Sequence, residues 1–83
     1  MEVVLVVKFD GLNGRMLGRS GVVSVENTTE EGILWQLEHE KYETVQEFTP
    51  GAIELGQARR LALEHRGTLP VYLEMGGLAR RIG

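Results

Sequence analysis

The chain has 83 residues, 42% of them hydrophobic and 25% charged, with a net charge of −3. That describes one domain with a thin core, because a chain this short buries only about 60–65% of the surface it exposes when unfolded. There is no cysteine, which excludes disulfides and thiolate metal sites.

Residues 2–9 read as the first strand. Val3, Val4, Leu5, Val6 and Val7 leave no polar face. A strand apolar on both sides belongs inside a sheet covered on both faces, or inside an oligomer. The same run is too short for a signal core or a membrane span, so a cytoplasmic chain is expected.

Residues 10–21 read as a loop spaced by Gly11, Gly14, Gly18 and Gly21. Asn13-Gly14 favours a tight turn at positive φ. Arg15 and Arg19 between the glycines could hold a phosphate, but the loop matches neither a Walker nor a dinucleotide fingerprint. Met16 and Leu17 are apolar residues on this loop, and such residues often dock onto something. Residues 22–26 read as a second strand.

The span 33–48 is ambiguous. As strands, Ile33, Trp35, Leu37 and His39 share one face, and the chain turns near Glu40–Tyr42 and returns to Phe48. As a helix, Thr28-x-x-Glu31 is a capping box followed by Leu34, Leu37, Lys41, Val45 and Phe48. Gly32, Thr44, Val45 and the aromatics favour the two strands.

Residues 50–66 read as one amphipathic helix. Thr49 caps it, Pro50 fills its first position and Gly67 ends it in the left-handed conformation. Its apolar arc takes in Ala52, Leu55, Ala58, Ala62 and Leu63, with Arg59 inside the arc and its stem packed. Ile53 and Leu61 fall outside the arc. Leu69 to Met75 follow as a fifth strand, broken by Gly76-Gly77, and 78–83 is a short basic tail. The expected fold is α+β: a four- to five-stranded, mainly antiparallel sheet with one helix on one face.

Trp35, Thr49, Ala52-Ile53, Ala58-Arg59, Ala62, Gly67, Leu69, Val71 and Gly76 form a pattern of strand, strand, capped helix and short strand. This stretch, about half the chain, resembles small bacterial and phage accessory proteins, some of them anti-CRISPR inhibitors. The resemblance implies an inhibitor that binds a larger protein, and its motifs reflect packing and caps rather than chemistry.

Charge is segregated along the chain: +1 over residues 1–25, −7 over 26–54 and +3 over 55–83. The middle segment carries Lys41 against eight glutamates, and the last carries five arginines against Glu64 and Glu74. His39 and His65 are the only histidines and Asp10 the only aspartate, too few for a converging metal site. Ser20 and Ser24 have no histidine near them in sequence. No catalytic residue, cofactor or metal is assigned.

The leading expectation is therefore a non-catalytic regulator or inhibitor. Glu38, Glu40, Glu43 and Glu47 would meet a basic surface of a larger protein, one that normally holds nucleic acid. Met16, Leu17, Ile53 and Leu61 would supply apolar contact with that partner or within a homodimer. The alternative is a weak nucleic-acid binder using Arg15, Arg19, Arg59, Arg60, Arg66, Arg80 and Arg81.

Overall fold

A computed structural model describes residues 1–83. In chain order the elements are β1 (Glu2–Phe9), β2 (Leu17–Val25), α1 (Glu30–Glu38), β3 (Glu43–Glu47), β4 (Ile53–Glu54), α2 (Leu55–His65), β5 (Val71–Met75) and β6 (Leu78–Arg81). The sheet runs β3-β2-β1-β5-β6, and the two-residue β4 pairs with the start of β2. Every pairing is antiparallel except β1 with β5, so the sheet is mixed and six-stranded.

β1 explains its own composition. Val4 and Val6 pack with Val23, Val25 and Tyr72 under α1, while Leu5 and Val7 pack with Val71 and Leu73 under α2. None of the four β1 residues is more than 5% exposed. Burying each such side chain contributes about 1.5–3 kcal/mol, so this one strand anchors both cores.

The α+β class holds, but the single helix does not. The missed helix lies in the span expected as two strands. The Thr29 hydroxyl accepts the Gly32 N–H at 3.1 Å, and Glu30 and Glu31 occupy the first turn, where the helix dipole favours carboxylates. Ile33 and Leu37, one turn apart, reach the sheet. The cap sits one residue beyond the Thr28 box, and Glu31 plays no reciprocal part in it. Only Glu43–Glu47 of the expected pair is strand.

α2 starts five residues later than its sequence signals suggest. Thr49 caps nothing: it is buried, and its Oγ1 accepts the Ser20 N–H at 3.1 Å. Ile53 and Glu54 pair with Gly18 and Leu17, and the Leu55 N–H donates to the Met16 carbonyl at 2.9 Å. Sheet pairing has claimed the residues that local propensity gave to the helix. Ala58 and Ala62 are fully buried, which lets the helix lie close on β1 and β2. Arg59 is exposed, contrary to the packed stem expected for it. The far end is as expected, with Gly67 at φ +56°.

Two further corrections concern strand ends. β2 begins at Leu17, so the loop is shorter than 10–21, although Asn13 and Gly14 do turn at φ +55° and +77°. The basic tail is strand β6, reached through Gly76 and Gly77 at φ +61° and +81°, and Ile82 packs beneath α2.

Candidate docking surface

The surface between α1 and β3 is built by one buried side chain. Gln36 faces inward with Ile33 and Leu37 but carries an amide instead of a methyl group. Its Oε1 accepts both the backbone N–H of Asn27 at 2.8 Å and the Asn27 Nδ2 at 3.0 Å. Its Nε2 donates to the Lys41 carbonyl at 2.7 Å. The turn that enters α1 and the loop that leaves it are thereby tied to the same residue. All the polar atoms of this buried amide are in use, as burial requires.

On the outer side of α1, Trp35 and His39 stand one turn apart. Their rings stack with centroids 4.1 Å apart and planes 16° from parallel. The His39 Nδ1 donates to the Trp35 carbonyl at 2.9 Å, which fixes the imidazole against the indole. Trp35 is nonetheless 52% exposed. It lines an open groove of about 480 Å³ with Tyr42, Glu26, Lys41, Glu43 and Met1. Tyr42 forms one wall and is half-buried, and burial raises its phenol above the ordinary value of 10.0.

The four glutamates expected to meet a partner separate into two pairs. Glu38 Oε2 accepts the Ala79 N–H at 2.8 Å, so this carboxylate is spent on β6. Glu40 forms an ion pair with Lys8, which holds its carboxyl below and the Lys8 ammonium above their ordinary ranges through that hydrogen bond. Glu43 and Glu47 are exposed on β3 and take part in neither ion pair of the structure. All five residues of β3 are exposed.

A bulge sets the direction of these two carboxylates. Val22 pairs with Gln46 and Val23 with Thr44, so Val45 is an extra residue in β3. Glu47 then lies opposite Gly21, on the α1 side, while Glu43 lies opposite Ser24, on the other side. Four residues apart on a regular strand, they would have shared a face.

No known family model, curated protein or solved structure matches the chain.

The apolar residues expected at an interface do not gather in one place. Met16 is 56% exposed, and it shares a depression at the start of α2 with Leu17, Arg15 and Glu54. Ile53 and Leu61 are half-buried and line another, with Arg60 and Glu64. Much of the apolar surplus seen in the sequence is accounted for by α1, whose Ile33 and Leu37 pack on Val4 and Val6 of β1. Ile53 itself packs against the α2-side core.

The arginines are spread as well. Arg19 pairs with Asp10 at 3.1 Å, and Arg81 Nε donates to the Gly83 carbonyl at 2.9 Å. Arg80 and Arg81 lie opposite Leu73 and Tyr72, on different faces of β6. Arg59 is exposed on α2, and Arg66 at its C-terminal end reaches toward Gly83. Arg15, Arg60 and Arg80 each share a depression with a glutamate.

Ser20 lies on β2 and His65 at the end of α2. The Ser20 hydroxyl is buried with no hydrogen-bond partner, so no base stands within reach of it. His65 donates Nδ1 to the Leu61 carbonyl at 2.8 Å and tilts against Phe48. No three carboxylate or imidazole groups converge as cation ligands. No helix is long and apolar enough to cross a membrane.

Sequence reasoning missed Trp35, Gln36, Tyr42 and Glu26 as site residues. The available signal was the spacing of Trp35 and His39, which meets across one helical turn but not along a strand.

Proposed function

We propose that the chain is a non-catalytic protein-binding domain that regulates or inhibits a larger partner by covering a basic surface on it. The observation that carries this reading is β3: an edge strand exposed at every residue, with Glu43 and Glu47 free of internal partners. Glu26, Glu30 and Glu31 are exposed as well, so the uncommitted negative charge clusters around α1 and β3. Clustered like charge speeds encounter with a basic partner and selects against acidic ones.

Self-pairing through β3 is disfavoured, because two copies side by side would bring Glu43 and Glu47 of each against those of the other. A homodimer would therefore use another surface. Two of the elements behind the resemblance to phage inhibitors, a tryptophan-bearing strand and a threonine cap, are here a helix and a buried loop residue just past β3. The reading rests on the surface instead.

The experiment is affinity capture from the native host with the tagged chain and with a Glu43→Lys/Glu47→Lys variant. One stoichiometric protein recovered by the first and lost by the second is the expected result. Equal recovery by both variants overturns the acidic-surface mechanism. Recovery of nucleic acid alone would transfer the function to the arginines, with the steep salt dependence that phosphate contacts impose.

A further inference from the structure

We infer that the groove beside Trp35 receives an arginine side chain from a basic segment of the partner. This deepens the proposed function and rests on it. An exposed tryptophan in a domain with so thin a core is not explained by packing. Trp35 lends the core nothing beyond its position on α1, and half its surface faces solvent.

Three observations define what fits. First, the ring is held in place. His39 covers one face, and the hydrogen bond from His39 Nδ1 to the Trp35 carbonyl anchors that cover. A ligand would meet an ordered indole and lose little in fixing it. Second, Gln36 holds both walls of the groove through Asn27 and Lys41, so the cleft exists before anything binds. Third, the groove crosses the ends of β2 and β3, so Glu43, though on the face of the sheet away from α1, borders it together with Glu26, Trp35 and Tyr42.

An aromatic face beside carboxylates suits a planar cation. Guanidinium stacks on indole and bonds carboxylate in a fork, whereas ammonium is a compact, strongly hydrated point charge. Lys41 also lines the groove, and its positive charge trims the field without reversing it, since two glutamates border the same space. A nucleobase is the other common guest of an exposed tryptophan, but its phosphates would face Glu26 and Glu43.

The test uses the intact chain titrated with octa-arginine and with octa-lysine at physiological ionic strength. Trp35 is the only tryptophan, so its emission reports the groove directly, and calorimetry serves the variants that lack it. Octa-arginine is expected to bind about three- to tenfold more tightly than octa-lysine, the range of a partly solvated cation–π contact. Trp35→Leu should remove that preference, Trp35→Phe should keep part of it, and Glu43→Gln should weaken both peptides. Because Trp35 is half-exposed, these variants are expected to fold, which circular dichroism checks.

Equal affinity for the two peptides overturns the inference. So does an arginine preference that survives in Trp35→Leu. If the two peptides bind equally and Glu43→Lys/Glu47→Lys abolishes both, the acidic docking surface stands without the groove. If neither peptide binds, both readings fall.

Discussion

Replacing Gln36 with leucine would leave the shape of the core nearly unchanged and cut the tie between the two ends of α1. Three hydrogen bonds disappear, at 2.7, 2.8 and 3.0 Å. Each contributes about 0.5–1.5 kcal/mol net. Asn27 is exposed, so its freed N–H groups recover water, and the leucine gains some burial. The expected loss is therefore about 2–3 kcal/mol, a large part of the roughly 4–12 kcal/mol typical for a chain of this length. At about 4–8 °C per kcal/mol, Tm should drop by roughly 10–20 °C. Urea and thermal unfolding, followed by circular dichroism and by Trp35 emission, give the number. Gln36→Glu sharpens the test. It keeps an acceptor for Asn27 but turns a carboxylate oxygen toward the Lys41 carbonyl, so at neutral pH it should be worse than leucine and partly recover in acid. A leucine variant within about 0.5 kcal/mol of the wild type would refute the clamp, because the bonds would then be worth no more than hydration.

Gly21→Ala should destabilise by about 2–4 kcal/mol and loosen β3, since its Cβ would run into the Gln46 carbonyl oxygen and stand 3.2 Å from Glu47 Cα; amide exchange of residues 43–47 reports the loosening. Ser20→Ala removes a buried hydroxyl that has no partner, so denaturant unfolding should show it unchanged or up to about 1 kcal/mol more stable. The Lys8–Glu40 pair should shape the pH dependence on two limbs. Glu40 is held below its ordinary 4.5, so its contribution is present above that value and lost as pH falls through the depressed folded value. Lys8 is held above 10.5, so its contribution is full below that value and lost as pH rises through the raised one. Urea midpoints of the wild type and Glu40→Gln should differ most near neutral pH, converge at both extremes, and differ less in high salt.

The first strand was legible to the residue, because five consecutive aliphatic side chains admit few other structures. The tight turn at Asn13-Gly14, the break at Gly76-Gly77 and the stop at Gly67 were legible for the same kind of reason: the backbone there takes positive φ, which glycine and asparagine accept; that the chain turns back at Gly76-Gly77 into a further strand was not. What failed were the segments where two local signals competed. Over 33–48 the alternation of Ile33, Trp35 and Leu37 imitates a strand, and nothing local shows that Trp35 points outward while Gln36 points in. At Thr49-Pro50 a sound helix cap was overruled by bonding to β2, where Ser20 lies 29 residues back in the chain. Of the candidate surface, Glu43 and Glu47 were legible as uncommitted acids. Glu38 and Glu40 were not distinguishable from them, since their partners Ala79 and Lys8 are distant in sequence.

The two outer strands are closed by different means, and the difference bears on where a partner can sit. The tight turn at Gly76-Gly77 makes Met75 and Leu78 a hydrogen-bonded pair, which turns the Ala79 N–H away from the sheet. Glu38 takes that N–H, so the end of α1 plugs the free edge of β6. β3 has no plug. Its protection is a bulge at Val45 and two glutamates, devices that discourage another strand from adding to the sheet. They discourage a neutral or acidic strand far more than a basic one, because only the latter gains from Glu43 and Glu47. The same short helix has both effects: nine residues of α1 reach far enough to seal β6 with their last carboxylate, and leave β3 uncovered. The open, acidic edge of this domain is thus the one that α1 is too short to close.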